Sequence, residues 1–152
     1  MSGMFLDMEQ AIVDRLTTKF ASLTPKPVIK RAADLDQLRD RSQGDLQVFV
    51  LYNGMVEIET LNVNAPQIGT LTNEYIVWIV ARSAKDHGEQ SGTRQLADPV
   101  LLATIEALMG ARLVPNMRPL HIASSTLSPA YADGFGFFPL TFHHRVNLRG
   151  DG

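Results

Sequence analysis

The sequence predicts an α+β fold, with an antiparallel or mixed sheet of four to five strands packed with two main helices. Three observations carry this. Two stretches, Asp7 to Leu23 and Asp98 to Met109, space apolar residues three and four apart, as a helix that covers a core does. Several other stretches are rich in β-branched and aromatic residues with turn residues between them. The order is helix, strands, helix, strands, which suits separate layers better than repeating strand–helix units. With 152 residues, 45% hydrophobic and 20% charged, the chain can bury a core of ordinary size, and one domain over residues 1–152 is expected.

In chain order, DMEQAIVDRLTTKFASL is the first helix, with Ile12, Val13, Leu16, Phe20 and Leu23 as its apolar face. Asp7 and Glu9 suit the positive end of its dipole, and the prolines of Thr24-Pro-Lys-Pro27 stop it. Val28 to Arg31 is short enough for an edge strand. Asp34 to Arg41 reads as a short charged helix or turn capped by Asp34, and Gly44 ends it. Leu46 to Tyr52 is a strand, Asn53-Gly54 signals a tight turn, and Met55 to Thr60 is the returning strand. Leu61 to Gly69 has no firm period and reads as a loop or a sheet-edge excursion. Thr70 to Arg82 is the longest strand candidate. Tyr75, Val77, Ile79 and Ala81 on one parity face Ile76, Trp78 and Val80 on the other, so both faces are covered or one serves for contact. Trp78 is accordingly core or interface. Ser83 to Gly92 is a polar loop. Asp98 as N-cap and Pro99 at the first position open the second helix, whose apolar face is Leu101, Leu102, Ile105, Leu108 and Met109, and Gly110 ends it. Leu120 to Leu127 is a strand, SPAYADGFG a loop that turns at Asp133-Gly134, and Phe138 to Leu148 the closing strand.

The adjacent pair His143-His144 invites a metal or acid/base reading. Its neighbours decide otherwise. Leu140, Phe142, His144, Val146 and Leu148 alternate with Thr141, His143, Arg145 and Asn147, which is strand parity. Successive side chains then point to opposite faces, so the two imidazoles do not converge on one ion. The parity predicts a half-buried His144 and a solvated or interfacial His143. Glu57 and Glu59 share one strand face and read as a solvated hairpin surface rather than an acid/base pair. His87 beside Asp86 is a loop histidine. None of the eleven glycines builds a nucleophile elbow, a phosphate loop or a dinucleotide fingerprint. No cofactor and no metal are expected.

Charge and composition exclude further classes. The formal charge of −2 and a pI near 6.0 leave no basic stripe, which disfavours duplex recognition. The chain has no cysteine, hence no disulfide, thiol catalysis or cysteine-bound zinc. MSGMFLDMEQ lacks a positive region followed by an apolar core, and no apolar run approaches a membrane span, so a soluble protein without a secretory signal is expected.

The helix with Ala11-Ile-Val-Asp-Arg-Leu16, the central strand Tyr75-Ile-Val-Trp-Ile-Val-Ala-Arg82 and the polar loop to Gly92 make a recognisable order. The helix Val100 to Met109, its exit Leu108-Met-Gly-Ala-Arg-Leu113 and the closing strand Pro139-Leu-Thr-Phe-His-His-Arg-Val146 complete it. This pattern, over roughly residues 8–148, resembles the tail terminator family of Mu-like phages, small tail-completion proteins often found in prophage clusters. The resemblance implies a structural virion protein with no catalytic residues. It implies a subunit that forms a homohexameric ring on the last ring of the tail tube protein, stops tube growth and meets the head-tail connector or neck protein. It further implies a place at the tail neck of the virion, host cytoplasm during assembly, no membrane partner, and a lumen that DNA crosses without sequence-specific binding. The candidate ring or tube interface is then Glu57, Glu59, Asn64, Gln67, His87, Arg94, His143 and Arg145. Two alternatives stand beside this reading. One is another head-tail joining or tail tube protein, and the other is a small α+β enzyme or ligand-binding domain with His121, His143 or Glu74 lining a pocket.

Overall fold

Three strands of 15 residues, each long enough to span far more than one helix width, build the molecule. The computed structural model describes residues 4–31, 45–60, 63–83, 91–114, 117–124, 127–132 and 134–151. Its elements are α1 (Met4–Phe20), β1 (Val28–Arg31), β2 (Leu46–Thr60), β3 (Ile68–Arg82), α2 (Ser91–Leu108), β4 (His121–Ala123), β5 (Ala130–Ala132) and β6 (Phe135–Arg149). The sheet runs β1-β2-β3-β6-β4, and β5 also pairs with β6. Only β1 is parallel to its neighbour. The α+β class with a mixed sheet and two helices is therefore as expected. There are six strands instead of four to five, because two three-residue strands lie along β6.

Both helices cover one face of the sheet. Met8, Ile12, Leu16 and Phe20 of α1 and Ala97, Val100, Ala103, Ala107 and Leu108 of α2 pack on Val48, Val50, Tyr75, Val77, Ile79, Phe138 and Phe142. Arg15 Nε donates to the Ala107 carbonyl at 3.2 Å, which joins α1 to the C-terminal turn of α2 and answers an otherwise orphaned helix carbonyl. The opposite face carries a second cluster of Phe49, Ile76, Trp78, Val80 and Phe135. Apolar residues on both parities of β3 thus mean burial on both faces, and Trp78 is core.

Several local readings are corrected. Asn53-Gly54 makes no hairpin: β2 runs through it, paired with β3 from Leu46↔Ala81 to Thr60↔Gly69. Gly54, with φ +97°, sits where the register shifts between Tyr52 and Gly54, so the glycine absorbs an extra residue in a bulge instead of reversing the chain. The real reversal is at 63–67, and Ile68 and Gly69 already belong to β3.

The second helix starts at Ser91, well before Asp98, and holds Pro99 in its interior. Burial of Thr93 and Ala97, with Leu96 half-buried against the core, outweighs the local stop signal. Its buried face is also rotated. Leu102 and Met109 are 59% and 57% exposed, while the small residues Ala97, Ala103 and Ala107 let the helix approach the core closely. The strand expected from Leu120 spans His121–Ala123, and the expected loop SPAYADGFG contains β5 and the start of β6. Gly134 does turn, with φ +81°. The charged segment Asp34 to Arg41 and most of the polar loop after Ser83 lie outside the described residues.

Candidate assembly interface

A strand rises about 3.3 Å per residue and a helix about 1.5 Å, so the long strands reach about 50 Å where the helices reach about 26 Å. The sheet must overhang its helices. The overhang is a three-stranded arm made of Asn53–Thr60, Ile68–Glu74 and His143–Arg149 with the turn at 63–67 as its tip. Its rows follow from register: Glu57–Thr72–Arg145, Ile58–Leu71–Val146, Glu59–Thr70–Asn147 and Thr60–Gly69–Leu148. Successive rows face opposite sides, which gives the arm one polar face and one apolar face.

On the polar face Glu57 and Glu59 lie side by side. A hydrogen bond with Glu57 and its negative charge hold the Glu59 carboxyl above its ordinary range, burial adds to this, and Arg145 opposes it. Nearer the helices, Glu74 accepts from Asn53 Nδ2 at 2.6 Å and meets His143 Nε2 at 3.2 Å. His121 lies opposite His143 on β4. The apolar face exposes Met55 by 56%, Ile58 by 67% and Leu148 by 37%, beside a half-buried Val146 and a buried Leu71. Where this face passes under the core, Asn73 and His144 are buried, and Tyr52 donates to Asn73 Oδ1 at 2.8 Å.

The structure brings most of the predicted interface residues together. Glu57, Glu59, His143 and Arg145 share the polar face. Asn64 and Gln67 are in the tip, where the Gln67 carbonyl accepts from Gly150 at 2.6 Å and closes the turn onto the end of β6. Arg94 is elsewhere: it donates from Nε to Tyr131 Oη at 3.1 Å, at the β5 end of the sheet. His87 lies outside the described residues. His143 and His144 do face opposite sides, and His144 is fully buried where a half-buried ring was expected. Among the described residues no three histidine, aspartate or glutamate side chains are placed to hold a metal. His121, His143 and Glu74, the residues of the enzyme alternative, form a cross-strand row on the polar face.

Sequence reasoning missed the apolar side of the arm, Met55, Ile58 and Leu148. Only the mismatch between strand and helix length leaves this side bare.

This elongated sheet with helices on one face has relatives. A model of the phage tail terminator protein family matches residues 1–151. The chain belongs to that family. Phage tail terminator proteins are structural and not enzymatic, which removes the enzyme alternative. A solved chain from the "Virion of native gene transfer agent (GTA) particle" is 13% identical, with 92% of this chain and 94% of that one covered at a TM-score of 0.55, and it shares the fold of this tail terminator family member. A second solved chain is 14% identical over 99% of each chain, at a TM-score of 0.49. No curated protein matches the chain. No helix among the described residues is long and apolar enough to cross a membrane.

Proposed function

We propose that this chain ends a tail tube of the Mu-like type. In this reading one domain per subunit builds a six-membered ring that binds the open end of the tube, stops its polymerisation and presents its other surface to the head connector. The family match across residues 1–151 carries the reading. The physical logic supports it. A tube grows because each ring offers the next an equivalent surface, so ending growth takes a ring that binds the end yet copies nothing. A chain with a polar face, an apolar overhang and an irregular tip has dissimilar surfaces to offer. The formal charge of −2 suits a collar through which DNA slides, since tight phosphate contacts would hold the duplex in place. Glu57, Glu59, Asn64, Gln67, His143 and Arg145 line the contacts of the arm, while Arg94 serves a second surface. The ring sits at the tail neck after assembly in the host cytoplasm.

The test is deletion of the gene from the phage or prophage, with complementation. The expected particles are DNA-filled heads without tails beside tails of irregular and often excessive length. Joined particles with tails of normal length refute the proposal. Free tails of normal length that fail to join transfer the chain to the head-tail joining role.

A further inference from the structure

We propose that copies of this chain join through the two outer edges of the arm, the β2 edge of one copy beside the β6 edge of the next. The inference rests on the ring reading above and names the surface that closes it. The edges are defined by what stops short of them. β1 pairs β2 only over Gln47–Val50, β4 pairs β6 only over Thr141–His143, and β5 pairs it only over Phe135–Phe137. Among the described residues no strand pairs the outer edge of β2 from Met55 to Thr60 or that of β6 from His144 to Arg149. Each edge is a row of backbone donors and acceptors, which is a template for another strand.

Direction and chemistry both select a second copy as the occupant. β2 and β6 are each antiparallel to β3, so they run the same way. A rotation about an axis along the strands therefore sets the β6 of one copy parallel to the β2 of the last, and the same step repeats until it closes. On the polar face this joins Glu57 and Glu59 to Arg145, with His143 and Arg149 on the same parity. On the other face it joins the exposed Met55 and Ile58 to Val146 and Leu148. The twofold alternatives are disfavoured by the same pattern: β2 on β2 sets acid against acid, and β6 on β6 sets base against base. Head-to-tail pairing satisfies both faces at once.

Cysteine cross-linking tests this cleanly, because the chain has no cysteine of its own. Ile58 and Val146 both pair with Leu71 and so stand at one height on one face, as Thr60 and Leu148 do through Gly69. Within one copy β3 separates them; between copies they come within disulfide reach. The variants are Ile58→Cys with Val146→Cys, and Thr60→Cys with Leu148→Cys. The control is Glu57→Cys with Val146→Cys, which points to opposite faces. Each is oxidised alone and on preformed tail tubes, with native mass spectrometry reading assembly independently and circular dichroism reading the fold.

The expected result is conversion of the monomer band into a reducible ladder that ends in a closed oligomer for one or both same-face pairs, and no ladder for the control. A ladder that stops at dimers overturns the inference in favour of twofold pairing. Assembly by mass without cross-links in either folded same-face variant overturns it while leaving the ring reading intact. No assembly, alone or on tubes, removes the ring reading and the inference with it.

Discussion

Acidification should destabilise the fold through one side chain, His144. The residue is 1% exposed, and among the described residues neither ring nitrogen has a partner at hydrogen-bond geometry. Burial holds its pKa below the ordinary value near 6.5, the Arg118 backbone opposes this, and the charge of His121 adds to the lowering. A histidine depressed in the folded state takes up its proton first in the unfolded chain, so stability is full above about pH 6.5 and falls below it. One proton of difference is worth about 1.4 kcal/mol per pH unit, so a drop from pH 7.5 to 5.5 costs at most about 1.4 kcal/mol. With an m-value of roughly 1 to 3 kcal/mol/M, the urea midpoint falls by about 0.5 to 1.4 M. The comparison is His144→Leu, which keeps a side chain of similar size and removes the ionisable ring. The variant should lose markedly less stability over the same interval. Equal losses in both proteins refute the reasoning, and show that the acid sensitivity comes from another group.

Three further outcomes follow from the packing. Leu108→Ala should cost about 2 to 5 kcal/mol and Leu102→Ala less than about 1 kcal/mol, because the first is fully buried and the second is 59% exposed; equal costs by chemical denaturation contradict the rotated face of α2. Gly69→Ala should cost about 1 to 3 kcal/mol, since its Cβ would press into the Glu59 backbone carbonyl, which cannot swing aside as a side chain does; an unchanged melting curve shows that the arm adjusts freely. Burial raises the pKa of Tyr52 and Tyr75, with the charges of Tyr52 and Glu9 adding at Tyr75, so stability should fall as pH rises above about 10, where unfolded tyrosines ionise first. Phenolate absorbance should then lag behind that of the urea-unfolded chain, and coincident titration curves argue against the buried rings.

Much of this was legible because it depends on period alone. Ile12, Leu16 and Phe20 recur at helical spacing and each lies in the core. The parity of His143 and His144 follows from a two-residue repeat that no tertiary contact changes. The errors fall where a local signal met a longer-range one. Asn53-Gly54 is a strong turn sequence, yet pairing with β3 continues on both sides of it and leaves a bulge. Pro99 is a good helix start, yet buried residues before it extend the helix.

The amino-acid sequence by itself determined the class of fold, the two helices and the central strand buried on both faces, because hydrophobic period and element order are properties of the chain read one residue after another. The tertiary structure alone decided which residues meet. Glu57 and Arg145 are 88 positions apart by their numbers and share a row only because β3 registers both strands. The arm likewise exists in no single segment: it is the difference between what 15-residue strands reach and what the helices cover, and that difference leaves Met55 and Ile58 in the open.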